Sequence, residues 1–218
     1  MLRKINKGVN KRQHLIVASL FIIVGVGFIG GKILFNKMLD KKENKKISDY
    51  YEIQNEVMSI SEDKNNEKNQ KEEQNIDENY IAVLKIPKIK LTKGIYSKES
   101  YMNNVNRSIQ IIEKSDYPDV VGGNFILAAH SGTARISYFR NLSKLSVEDK
   151  VSIDYNGKTY NYKVANIYSV EKTGKVEIKR NNNKNTLTLI TCEDNTNKQI
   201  VVVCQLTSKE EKWKINIT

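Results

Sequence analysis

Asn156-Gly157 stands between two alternating runs, residues 151–155 (Val-Ser-Ile-Asp-Tyr) and 158–164 (Lys-Thr-Tyr-Asn-Tyr-Lys-Val). A two-residue type I′ turn needs positive φ at both central positions, and Asn-Gly supplies it, so the runs are predicted to pair as a hairpin. Residues 165–170 continue the second arm. Other runs of β-branched and apolar residues follow the same pattern: 81–86, stopped by Pro87, then 91–96, 125–129, 186–192 and 200–206. Breakers separate them, among them Asp116-Tyr117-Pro118-Asp119, Gly122-Gly123 and the polar, lysine-rich stretch 171–185. Residues 101–112 read as a short helix or loop, and 138–142 as a turn of helix. Strands this numerous at short spacing predict a mostly β fold, a closed or nearly closed barrel with short helices, over residues 80–218.

The segment before the barrel obeys different rules. Residues 15–31 are apolar or small with Ser19 the only polar side chain; Lys32 interrupts, then Ile33-Leu34-Phe35 resumes. Seventeen helical residues span about 25 Å and twenty-one about 31 Å, enough to cross a bilayer, and Lys32 near the end can snorkel. No Ala-x-Ala site follows, so residues 15–35 are read as an uncleaved transmembrane anchor after a tail of residues 1–14. Basic residues flank the run on both sides, so the positive-inside rule leaves orientation open. Residues 36–79 read as a polar stalk or linker. Within it Ile47, Tyr50, Tyr51, Ile53, Val57, Met58 and Ile60 recur at helical steps, which fits a short amphipathic helix and equally a weakly ordered stalk. Residues 62–75 carry no apolar side chain and read as a flexible linker.

Charge is uneven. The chain holds 36 basic and 25 acidic side chains, a net +11, and residues 80–218 contribute 22 and 13 of them. The folded part is the basic part, which favours an anionic neighbourhood such as lipid headgroups or wall polymers. The basic residues are scattered, with no recognition helix or aromatic platform, so no nucleic-acid partner is expected.

Two cysteines and two histidines limit the chemistry. Cys192 ends the run Thr188-Leu189-Ile190-Thr191-Cys192, where the chain turns polar. His130 ends Leu127-Ala128-Ala129-His130, the only histidine outside the membrane-proximal segment that holds His14. A lone cysteine is most often a small buried hydrophobe, and Val201-Val202-Val203-Cys204 fits that description. A thiol at a strand mouth beside an imidazole can instead ionise and act as a nucleophile, with the ring returning a proton to a leaving amine. Pairing of the last two strands sets Cys204 opposite about residue 188, so Cys192 is expected to stay reduced.

Thr188 to Cys192 match in full the Thr-Leu-x-Thr-Cys motif of the sortases, membrane-anchored cysteine transpeptidases of Gram-positive bacteria. Residues 125–130 resemble their histidine strand, and residues 81–89, with Ile86-Pro87-Lys88-Ile89, resemble their first strand. The three motifs stand in the family's order over residues 80–206. The resemblance implies an eight-stranded barrel, a cytoplasmic N-terminus and an extracellular catalytic domain. It implies Cys192 as nucleophile, His130 as acid and base, and Thr188, Leu189, Ile190, Thr191 and Ala129 around the substrate. The loop 171–185 would help form the groove. The substrate would be a Leu-Pro-x-Thr-Gly-like sorting signal near the C-terminus of secreted proteins. A cell-wall precursor or another protein would supply the acceptor amine.

One family feature is missing. Sortases carry an arginine on the strand after the cysteine, whereas residues 197–202 read Asn-Lys-Gln-Ile-Val-Val. Lys198 takes that place, or Gln199 if the loop is shifted by one; lysine keeps the charge but loses the planar fork. Arg135, Arg140 and Arg180 lie in other segments. A slow or hydrolytic peptidase and a peptide-binding module that does not cleave are therefore the rival readings. Glu148, Asp149, Glu171 and Glu177 lack a ligand spacing, so no metal or other cofactor is expected; the resemblance allows calcium, which some sortases bind with such groups, but the spacing does not support it.

Overall fold

The computed structural model describes residues 11–62 and 79–211. Most of the expected tail and the linker from residue 63 to 75 lie outside the described residues. The chain divides into two compact units, residues 1–44 and 45–218.

A single helix, α1 (Lys11–Glu62), carries the apolar run. In the first unit its large side chains face outward, Phe21 72% and Phe28 77% exposed. So much bare apolar surface is unfavourable in water, and the helix is long and apolar enough to cross a membrane. The stalk expected from residue 36 is helical as far as Glu62. In the second unit its face carrying Ile47 and Tyr50 is buried in a small cluster with Tyr80, Val83 and Tyr96. Residues 47–60 are helical, with Ile47 and Tyr50 buried and Val57 58% exposed. The Tyr80 ring lies flat on the strand at Gly94, where a Cβ would stand 2.1 Å from it.

Eight strands follow: β1 (Ala82–Ile86), β2 (Leu91–Ile95), β3 (Gln110–Ile111), β4 (Asn124–Ala128), β5 (Lys150–Tyr155), β6 (Lys158–Glu171), β7 (Thr186–Cys192) and β8 (Lys198–Glu211). They form one sheet in the order β2-β1-β5-β6-β8-β7-β4-β3, curled into a nearly closed barrel. The hairpin forms as expected, with Asn156 at φ 47° and Gly157 at φ 70°. Alternate residues fill the interior, among them Phe125 and Leu127 of β4, Leu187 and Leu189 of β7, and Ile200, Val202 and Cys204 of β8. Each large side chain removed from water in this way contributes about 1.5–3 kcal/mol.

Of the two readings of residues 101–112, the loop is the one formed, made of turns and the short β3. The Asn103 amide accepts from Ile111 N (2.6 Å) and donates to Ile111 O (3.1 Å) and Lys98 O (3.3 Å), offering the backbone an alternative to helical bonds. The helical turn after His130 is a 3₁₀ segment at Leu142–Lys144, beginning four residues later than expected, with Phe139 and Leu142 fully buried.

Asp154 ties α1 to the barrel. Its carboxylate, 3% exposed, accepts from Tyr51 Oη (2.6 Å) and Thr159 Oγ1 (2.7 Å) and pairs with Lys85 Nζ (2.7 Å), while its carbonyl accepts from Tyr50 Oη (3.2 Å). Without Asp154 the Tyr51 and Thr159 hydroxyls lose a buried acceptor, while Lys85, a third exposed, is solvated in part. Asp154→Ala should therefore lower unfolding stability by about 2 kcal/mol, measured by urea denaturation followed by circular dichroism. Asp154→Asn should lose less, because its one amide oxygen still accepts from one hydroxyl and its Nδ2 can donate to the oxygen of the other.

Candidate functional site

The placement of the two reactive side chains follows from a register. Strand β4 runs parallel to β7, with Phe125 level with Leu187, Leu127 with Leu189 and Ala128 with Ile190. Ala129 N then donates to Ile190 O (3.2 Å), and Thr191 Oγ1 to Ala129 O (2.8 Å). Continued two residues past the Ala128–Ile190 pair, beyond the end of β4, this register would set His130 level with Cys192. Side chains alternate across a strand. Because Phe125, Leu127, Ala129, Leu187 and Leu189 point into the core, His130 and Cys192 share the outer face.

The pair of strands is held on that face by a buried polar cluster. Asn124 Oδ1 accepts from Thr186 Oγ1 (3.0 Å) and Thr188 Oγ1 (2.8 Å), and Asp116 Oδ2 accepts from Asn124 N (2.9 Å). Both reactive side chains are half-buried at the barrel rim. Phe139 N donates back to His130 O (3.1 Å), so the following loop closes over the strand end. His130 Nε2 lies 3.0 Å from Asn106 Oδ1. An amide oxygen only accepts, so this contact needs the proton on Nε2, which leaves Nδ1 as the acceptor in the neutral ring. Asn106 was not among the sequence candidates. It sits in a turn-rich loop 24 positions before His130, with no local pattern to mark it.

Strand β8 lies on the other side of β7 and answers the one-residue question. Cys192 is in register with Gln199, as Thr191 is with Ile200. Directly opposed residues share a face, so Gln199 stands on the outer face with Cys192. Lys198 belongs to the opposite parity. It is in register with Glu171 of β6 and pairs with it at 3.9 Å, both side chains exposed. The ladder thus sets the shifted alternative, Gln199, and not Lys198, level with Cys192.

The remaining candidates divide by the same alternation. Ile190 lies on the outer face, one row from Cys192, and Thr188 lies two rows away beneath Asn124. Leu189, Thr191 and Ala129 face the barrel interior, with Leu189 fully buried, so their side chains support the strands and do not line a groove. Arg140 Nε donates to Ser137 O within its own turn (3.1 Å). Arg180 reaches Thr186, the end of β7 away from Cys192. Arg135 lies exposed in the loop after His130. Glu148 pairs with Lys163 (2.7 Å) and Asp149 with Lys88 (3.6 Å), and among the described residues no three His, Cys, Asp or Glu side chains gather as a metal site.

Cys204 is free, fully buried and level with Leu187, five positions along β7 from Cys192, which is also free. Burial pushes its thiol well above the ordinary range, against ionisation. With a half-buried thiol and an imidazole in one row, the site can carry out nucleophilic chemistry at a carbonyl with local proton transfer.

Comparison with known proteins bears on the fold and the family. The profile of the sortase domain matches residues 84–207. Sortase A of Bacillus anthracis is 24% identical over 212 residues, 93% of this chain and 99% of that protein. A sortase D5 transpeptidase of Clostridium perfringens superposes with a TM-score of 0.57 at 23% identity, covering 76% of this chain and 98% of that one. A lid mutant of sortase A from Corynebacterium diphtheriae gives 0.53 at 25% identity, over 59% and 70% of the two chains.

The contrast between the two thiols is directly measurable. Iodoacetamide at neutral pH should label Cys192 in the native protein and leave Cys204 unmodified until the protein is unfolded, as read by peptide mass spectrometry. Equal labelling of both would mean that β8 is not seated as described.

Proposed function

The chain belongs to the sortase family, and from that premise we propose that it is a membrane-anchored cysteine transpeptidase. Residues 15–35 would hold it in the membrane, with the N-terminus cytoplasmic and the barrel outside. The observation that carries the reading is the common row and face of Cys192 and His130 at the ends of a parallel strand pair.

In this reading a sorting signal of the Leu-Pro-x-Thr-Gly type lies along the outer face of β7. The Cys192 thiolate attacks the threonine carbonyl and forms a tetrahedral adduct. The C–N bond to glycine breaks as His130 gives its proton to the departing amine, leaving a thioester on Sγ. An incoming amine, from a wall precursor or another protein, gives a proton to His130 and attacks the thioester. The new amide forms and the thiolate is released. Asn106 holds the imidazole through Nε2, as orienting acceptors do in other thiol–imidazole pairs. Cys192→Ala should abolish thioester formation with a sorting-signal peptide, and Cys204→Ala should leave it largely intact, measured by intact-protein mass after mixing.

Charge develops on the carbonyl oxygen in the first step and needs a donor. We assign that contact to the Gln199 side-chain amide, on the register that sets it beside Cys192. A neutral amide donates one bond where a guanidinium fork donates two, so acylation would be slower than with arginine. Losing such a donor lowers rates by about 10²–10³. Gln199→Ala should slow acylation by about that order while Lys198→Ala changes it little, in single-turnover kinetics. The reverse pattern would return the role to Lys198. A wild-type protein that binds the peptide and never acylates would favour the binding-module reading, which the missing arginine keeps in view.

A further inference from the structure

Strands β6 and β7 both run antiparallel to β8, which lies between them, so they are parallel to one another. The connection 172–185 leaves β6 at the level of Cys192 and enters β7 at the level of Thr186. It must therefore run back along the outside of the sheet, past β8. It holds five basic residues and one acidic one with only Val176 and Ile178 as large apolar side chains, a composition normally found in mobile loops.

Here it is fastened at three places. At its start Lys172 N donates to Asn197 O (2.9 Å), in the loop that follows Cys192. In its middle the Tyr168 hydroxyl accepts from Lys179 N (2.8 Å) and donates to Glu177 O (2.9 Å), and Lys179 Nζ lies 5.4 Å from the Tyr168 ring centre. At its end Arg180 Nη1 donates to Gly122 O (2.9 Å) and Thr186 Oγ1 (3.2 Å). Asn185 adds a clamp, accepting from Gly122 N (2.8 Å) and donating to Val120 O (2.7 Å). Tyr168 is in register with Val201, which is in register with Ile190, which is level with Ala128. On the outer face this row is the neighbour of the one holding Gln199 and Cys192.

We propose that Tyr168 and Arg180 are positioning residues that hold the 172–185 connection in its peptide-receiving shape before any peptide arrives. The Tyr168 hydroxyl fixes the middle from the floor of the groove. Arg180 fixes the end by bridging the entries of β4 and β7. Ordering a loop on binding weakens binding, and a loop already ordered avoids that loss. The clasp thus acts on peptide affinity and leaves the chemical step to Cys192 and His130. The peptide part of this inference rests on the transpeptidase reading; the ordering of the loop does not.

The test uses the full chain in detergent micelles with Tyr168→Phe, Arg180→Ala and Arg180→Lys. In the free protein, amide hydrogen exchange at Lys179 should be slow in the wild type and at least about tenfold faster in Tyr168→Phe, the scale of one or two neutral hydrogen bonds. With a Leu-Pro-Ala-Thr-Gly peptide, Tyr168→Phe and Arg180→Ala should raise KM about tenfold and move kcat less than twofold, and Arg180→Lys should recover part of the loss. Unprotected exchange at Lys179 in the wild type, or a fall in kcat at unchanged KM, would overturn the proposal. If the wild type does not turn the peptide over, the transpeptidase reading fails. The clasp is then judged by the exchange data and by peptide titration of Tyr168→Phe, where unchanged affinity overturns it.

Discussion

The chemistry of this protein depends on the parallel ladder between β4 and β7. Two strands that are distant in sequence are locked at one register, and everything reactive lies two residues beyond its last pair. A slip of one residue would turn either His130 or Cys192 toward the core, since side chains alternate strictly. Asn124 guards against that slip. Its single amide oxygen takes hydroxyls from both Thr186 and Thr188, which face the same side of β7, so the contact has one matching position. Thr191 adds a second check nearer the site, through the Ala129 carbonyl. The motif threonines thereby gain a physical reason: they set the alignment of the strand that carries the thiol.

The same alternation sorts the two cysteines. Cys204 falls on the inner face of β8 and is surrounded by core side chains, where burial disfavours the thiolate. Cys192 ends on the outer face at the rim, where a thiolate can be solvated and paired. Their different fates come from strand parity and from distance to the barrel end, with no difference in the residue itself.

Much of this was legible beforehand. The Asn156-Gly157 turn, the strand runs and the buried face of residues 47–50 were readable because periodicity and positive-φ chemistry are local. The extension of β8 past residue 206 was not. Thr207 to Glu211 are polar, and they extend only because their backbone pairs with residues 158–161 of β6. Asn106 was invisible for a similar reason, since its role exists only once a turn brings it to His130. The choice between Lys198 and Gln199 needed the register itself: an alignment can slide across the loop 193–197, but a ladder cannot. That Leu189, Thr191 and Ala129 face inward also needed the fold, because the motif does not say which of its residues point to the core.

The position of β8 has a kinetic consequence. The Asn124–Thr186 contact joins positions 62 apart, and the sheet on which the site stands is complete only when β8 slots between β6 and β7. Pairings of such long range form slowly compared with hairpins. The β5–β6 hairpin closes across two residues and can form as soon as it is made, whereas the row holding thiol, imidazole and amide requires every later strand. Cys192 therefore gains its place beside Gln199 only at the final step of sheet assembly.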